Sequence, residues 1–271
     1  MNIIVKAGVT VLVAGSFALP LQAAEGFLMV EKTVSGATTR TSQVQLERDK
    51  LRAEMSGPGT GTQVVIFDGA QQVLRVVSVD RKSYTEMTKA DADRMGAQAN
   101  AVRAAMKEKI AKLPPEQRAK SEAMLALLSG SIPGASGKPE FRRAGSDKVG
   151  KWTCDKYEGF RSDVKVSEVC TVDPKALGLT AADFEISKQV ASFFSTLMPQ
   201  GGNQIVGIGT LETQGFAGIP VRRIIYNDGK VTSTSEVTDV RRETFPAASY
   251  EVPAGFQKQA IGAKPPQAPP Q

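Results

Sequence analysis

The hydrophobic period of this chain changes in mid-sequence, and that change limits the folds open to it. Over residues 27–87 apolar and polar residues alternate in short runs, as they do on half-buried strands. Gln43-Val44-Gln45-Leu46 shows the alternation. Val64-Val65-Ile66-Phe67 runs into Asp68-Gly69, a short-hairpin signal because both residues tolerate positive φ. The return strand covers 73–79, and Asp80-Arg81-Lys82 turns the chain into a further strand at 83–87.

The period then lengthens to about 3.5. Thr88 with Asp91 makes a capping-box start. Met95, Ala99, Val102, Met106, Ile110 and Leu113 follow at three- and four-residue spacing, so they share one helix face. Leu113-Pro114-Pro115-Glu116 ends that helix and starts another, which carries Ala123, Met124, Leu125, Leu127 and Leu128. Residues 88–129 therefore read as a helical hairpin set into a β framework. Glycine, proline and serine make 131–145 a loop.

Strand patterns return at 151–160 and 164–172 around a turn at Arg161-Ser162-Asp163. Thr180 with Asp183 caps a shorter helix holding Phe184, Val190, Phe193, Phe194 and Leu197, and Met198-Pro199-Gln200-Gly201-Gly202 breaks it. Strands resume at Ile205. A pair at 219–226 and 231–240 turns at Asp228-Gly229. The whole predicts an α+β chain of about eleven strands with interposed helices.

The first 24 residues stand apart. Lys6 is the one early charge, an apolar run follows, Pro20 breaks it, and Leu21-Gln22-Ala23-Ala24 supplies small residues for cleavage. That is the layout of a secretory signal peptide. A membrane anchor is the alternative, but the run falls short of the roughly 20 residues that span a bilayer. No cysteine lies near the cut to carry lipid, and no later run is apolar enough to span. The domain is expected over 25–262. The tail 263–271, Ala-Lys-Pro-Pro-Gln-Ala-Pro-Pro-Gln, reads as disordered. An exported, periplasmic protein is the expectation.

Composition removes several chemistries. Histidine is absent, which excludes histidine triads, imidazole zinc sites and histidine acid–base catalysis. The net charge of +6 falls by one with Lys6, and the basic residues are scattered without aromatic interleaving. Nucleic-acid binding has little support on that pattern, while a weak attraction to anionic lipid head groups stays open.

The two cysteines, Cys154 and Cys170, cannot close a zinc site alone and lack C-x-x-C spacing. A hairpin centred on Ser162 sets them directly opposite each other, and an exported chain keeps such a pair oxidised, so a structural disulfide is expected. Gly145-Ser146-Asp147-Lys148-Val149-Gly150-Lys151 resembles a P-loop, but Trp152 replaces its final Ser or Thr and a strand follows where a helix is required. Ser162-Asp163-Val164-Lys165 has serine–lysine spacing but falls in a hairpin turn. No catalytic residue, metal site or cofactor is expected.

Met95, Val102, Met106 and Met124, with Phe193 and Phe194, are candidate ligand contacts, because methionine-rich apolar surface adapts to ligands of varied shape. The same residues also suit plain core beneath a sheet. Pairing Tyr226 with Val231 puts Tyr226, Ile224, Val231, Val237 and Arg222 on one face, apart from Thr234 and Glu236. Arg222 at its far end is a candidate for an anionic head group, or simply the point where the strand meets water.

Several of these segments together resemble an exported family, domain of unknown function 4412. The resemblance is carried by 64–69 and by Val-Ser-Val-Asp-Arg-Lys-Ser-Tyr at 77–84. Leu-Pro-Pro-Glu-Gln-Arg at 113–118, Gly-Lys-Trp-Thr-Cys-Asp-Lys-Tyr at 150–157 and Tyr-Glu-Val-Pro-Ala-Gly-Phe at 250–256 continue it. That family is similar in fold to the periplasmic lipoprotein carriers LolA and LolB. The resemblance implies a half-open antiparallel β-barrel covered by helices, with an apolar space for acyl chains and no catalytic residues. Two functions follow as expectations: a carrier of a lipid or acylated ligand, or an envelope module that binds another protein and holds no lipid.

Overall fold

The computed structural model describes residues 24–59, 61–128, 139–195 and 215–262. The leader through residue 23, the loop at 131–138, the break at 198–202, the strand expected at Ile205 and the tail at 263–271 lie outside them.

Six strands come first: β1 (Ala24–Ser35), β2 (Thr38–Leu46), β3 (Lys50–Gly57), β4 (Gly61–Asp68), β5 (Val73–Ser78) and β6 (Ser83–Thr88). Two helices follow, α1 (Lys89–Ala111) and α2 (Pro115–Leu128). The chain continues through β7 (Glu140–Val149), β8 (Trp152–Arg161), β9 (Val164–Val172), α3 (Glu185–Phe194), β10 (Ile219–Asn227), β11 (Lys230–Phe245) and β12 (Gln257–Gln259). Short 3-10 turns at Pro174–Leu177 and Ala181–Phe184 lead into α3.

Among the described residues the strands form one twelve-stranded sheet, ordered β12-β6-β5-β4-β3-β2-β1-β11-β10-β9-β8-β7. Every pair is antiparallel except β12 on β6. The sheet is open, with β12 and β7 as its edges, so the described pairings do not close a barrel. Three elements escaped the sequence pattern. β3 has few apolar residues, β12 has none, and β7 replaces part of the loop expected at 131–145 because its charged residues sit on an exposed edge.

The turns show where local chemistry decides. Asp228 and Gly229 both adopt positive φ, 49° and 73°, giving the two-residue hairpin that the pair predicts. Asp68-Gly69 behaves differently. Its connection runs from Gly69 to Gln72, the positive φ falls on Gln72, and the Asp68 carboxylate accepts a hydrogen bond from the Gln71 N–H at 2.9 Å. Space at Gly69 is tight: a Cβ would stand 3.1 Å from the Asp49 carbonyl oxygen and 3.0 Å from Ile186 Cδ1 of α3, and would push the flexible end of Gln189 aside.

Each face of the sheet carries its own core. Leu28, Val64, Ile66 and Val77 are covered by Phe245 and Tyr250 as the C-terminal segment folds back. The opposite face carries the larger core and bears α3.

Candidate functional site

On the helix-bearing face the register builds a continuous apolar row. Phe27 stands opposite Leu46, Leu46 opposite Leu51, Leu51 opposite Phe67, Phe67 opposite Leu74, and Leu74 opposite Met87. α3 seals this row. Ile186, Val190 and Phe193 are essentially inaccessible, and the Phe193 ring meets Phe67 edge-on at 5.4 Å. Burying one such ring contributes about 2–3 kcal/mol, and edge-to-face contact adds to it.

The helix is also latched. Arg242, opposite Phe27, donates from both terminal nitrogens to the Asp183 carboxylate at 2.8 Å, and Nη2 also donates to the Gly178 carbonyl at 3.0 Å. Asp183 accepts the Thr180 N–H and hydroxyl as well, completing the capping box read from sequence. Burial pushes the Asp183 carboxyl up, but these donors outweigh it and hold the group below its ordinary value.

A second row lies two residues further along the same face. Met29, Val44, Ala53, Val65 and Val76 stand opposite one another in turn. Met29 and Val44 are buried, Ala53 and Val65 partly so, and Val76 is exposed. Met55, beyond Ala53, is 43 % exposed. The apolar face thus runs out from the core into the open.

The other half of the sheet adds a buried polar cluster beside its own share of the core. Glu168 on β9 is buried and takes hydrogen bonds from the Lys165 ammonium and, at 2.5 Å, the Tyr226 hydroxyl; Lys156 closes on it at 2.9 Å. Burial works against ionisation, yet those donors hold Glu168 down to about 2. Lys165 also donates to Glu158 at 2.7 Å. Arg222 is ion-paired with Asp147. A bulge between Ile225 and Tyr226 sets Arg222 opposite Glu236 and Ile224 opposite Thr234. The face assignment expected for Thr234 and Glu236 is therefore shifted by one residue.

Cys154 and Cys170 form a disulfide and both are buried. They are not directly opposed, as a turn centred on Ser162 would require. The turn is Ser162-Asp163, with φ of 46° and 61°, and a bulge follows at Gly159/Phe160. Cys170 therefore faces Lys156, and the bridge runs diagonally across a Cα separation of 5.5 Å.

The remaining candidates divide between core and surface. Phe193 and Phe194 of α3 are buried in the larger core, and Met95 is half-buried near the start of α1. Val102, Met106 and Met124 are 60 %, 41 % and 65 % exposed. α1 begins as Thr88 and Asp91 predict, with the reciprocal capping box formed. Its buried residues are Ala92 and Gly96, however, so the predicted apolar stripe leaves the sheet after two turns. Periodicity finds the stripe but cannot tell a covered face from an open one. Among the described residues no helix is long and apolar enough to cross a membrane.

On the opposite face, a cavity of about 450 Å³ lies between the returning C-terminal segment and β4–β6. Lys50, Asp68, Arg75, Glu86 and Glu251 bring charge to its lining beside Ile66, Phe67 and Val252. Beneath it, burial raises the Glu47 carboxyl, against the pull of Tyr250 and Lys50.

The architecture defines an α+β protein with one face of an open sheet under helices. Within that class the chain belongs to the family of the domain of unknown function DUF4412, whose model matches residues 103–256. No curated protein matches. An uncharacterized conserved protein from Thermus thermophilus is similar at 9 % identity and a TM-score of 0.45, over 88 % of this chain and 91 % of that one. MucB in the Pseudomonas aeruginosa MucA/MucB complex is similar at 10 % identity and a TM-score of 0.36, over 86 % of this chain. This chain covers 56 % of that one, and 60 % of MucB in a further crystal structure, at 11 % identity and a TM-score of 0.37.

Proposed function

We propose that the protein is an exported, periplasmic, non-enzymatic binding protein that carries a lipid or another amphipathic ligand on the helix-bearing face of its sheet. The sheet would curl there as a half-open barrel, with residues 25–262 as one domain after removal of the leader. The observation that carries this reading is the second apolar row. It leaves the core at Met29 and Val44 and reaches the surface at Val76 and Met55, so an acyl chain laid along it extends a hydrophobic surface already begun. Phe193 and Phe194 form the packed wall at one end.

A second reading rests on the hairpin. Val102, Met106 and Met124 are exposed, and the buried residues of α1 lie at its base, at Ala92 and Gly96, which suits an envelope protein partner that holds no lipid.

Native mass spectrometry of mature protein purified from the periplasm without detergent, with organic extraction, tests the carrier. A stoichiometric adduct that extracts as a lipid is expected, and Val65→Asp removes it. A bare mass, with a protein that co-purifies and is lost on Val102→Gln/Met106→Gln substitution, refutes lipid carriage in favour of the second reading.

A further inference from the structure

The hairpin combines two features that the carrier reading leaves unused: exposed apolar side chains and a concentration of positive charge. At 3.6 residues per turn, Met106 lies about 40° around α1 from Val102, and Lys109 about 20° to the other side of it. Arg103 and Lys112 flank that stripe at roughly 100° and 80°. On α2, Lys120 precedes Met124 by one turn, on the same face.

From Arg103 to Lys120 the chain carries Arg103, Lys107, Lys109, Lys112, Arg118 and Lys120 against Glu108 and Glu116. Glu108 is ion-paired with Lys112 at 2.7 Å, so that pair is neutral and leaves Arg103, Lys107, Lys109, Arg118 and Lys120 against Glu116. The hairpin is therefore more basic than the chain as a whole, and its charge surrounds exposed Val and Met side chains.

We propose that the end of the α1–α2 hairpin is a docking surface for a membrane bearing anionic lipid. Lysine and arginine near such a surface are drawn to its negative potential, and their aliphatic stems let the charge stay at head-group level. Val102, Met106 and Met124 then enter the head-group boundary, as the apolar face of an interfacial helix does. The packed base at Ala92 and Gly96 fixes the hairpin to the sheet, so docking sets the ligand-bearing face beside the bilayer. This rests on the carrier reading only for its purpose, not for the docking itself.

Sedimentation of the mature protein with vesicles of phosphatidylcholine containing phosphatidylglycerol, and with vesicles of phosphatidylcholine alone, tests it. Partition into the anionic vesicles, released by salt, is expected, with little into the neutral ones. Each charge removed lowers partition about fivefold, so Arg103→Gln/Lys109→Gln lowers it about 25-fold. Val102→Gln/Met106→Gln weakens it independently of salt. These positions lie outside the packed core, and an unchanged circular dichroism spectrum and melting temperature confirm the fold. Equal partition into both vesicles, or unchanged partition of the charge variant, overturns the proposal. So does failure to bind vesicles while a purified envelope protein is captured through the same side chains. Val65→Asp separates the two readings: it removes a carried lipid and leaves vesicle partition intact.

Discussion

Removing the Cys154–Cys170 bridge tests how far a local crosslink governs this sheet. The cysteines are 16 residues apart, and closing a loop of that length removes about 3 kcal/mol of entropy from the unfolded chain. Both sulfurs are buried, so reduction requires unfolding in denaturant followed by refolding under reductant. Urea denaturation should place the reduced protein about 3 kcal/mol below the oxidised one, with melting some 6–12 °C lower for a chain of this size. Its m-value should rise, because an uncrosslinked chain exposes more surface. Cys154→Ala/Cys170→Ala should lose the same amount plus roughly 1 kcal/mol for each vacated sulfur position. A reduced protein within about 0.5 kcal/mol of the oxidised form would refute the loop argument. It would mean that the β8–β9 hairpin persists in the unfolded ensemble, so that the crosslink restrains nothing.

Phe193→Ala should destabilise the fold by about 3–5 kcal/mol, read from urea midpoints, because it empties a fully buried ring site against Phe67 and Phe194. Gly69→Ala should cost about 1 kcal/mol, since its methyl would crowd the Asp49 carbonyl and Ile186 of α3 once Gln189 has swung aside. A wild-type midpoint would show that α3 shifts freely. Asp183→Asn keeps the shape of the latch but loses its charge, and should cost about 1–3 kcal/mol at neutral pH. Asp183 and Glu168 both have folded pKa values below their unfolded ones. Their contribution is present above their unfolded values and is lost as the pH falls through the folded ones, about 2 for Glu168. Glu168→Gln should flatten that acid transition in a pH series of melts, and an unchanged transition would show that its partners do not stabilise the carboxylate.

Sequence pattern locates the elements whose signals are local. Thr88 with Asp91 and Asp228-Gly229 each act within a few residues and form as read, while Thr180 with Asp183 forms its box on the 3-10 turn that leads into α3. Features set by distant partners are not legible in that way. β3 alternates weakly because its place is fixed by strands on both sides. Bulges at β8–β9 and β10–β11 move the register, and the one at Ile225/Tyr226 has no glycine to mark it. In the candidate site, Val102, Met106 and Met124 carry a true helical period, but only the fold reveals that their face is open. Phe193 and Phe194 show the opposite outcome, because α3 presses them into the sheet. The Glu168 cluster has no sequence signature, since Lys156, Lys165 and Tyr226 come from three strands.

The order of the strands has a consequence for the path by which the chain folds. β1 through β6 join by successive hairpin pairings, and so do β7 through β9, with β10 and β11 added to them. The two sections meet along β1 and β11, where partners such as Val30 and Asp239 lie roughly 200 residues apart. Each section can organise on local contacts, while the seam must wait for almost the whole chain and carries the largest loop-closure cost. Until it closes, β1 and β11 are free edges that can pair with another copy of the chain. The centre of the finished sheet therefore depends on late contacts, and is the point at which two molecules folding together are most exposed to exchanging halves.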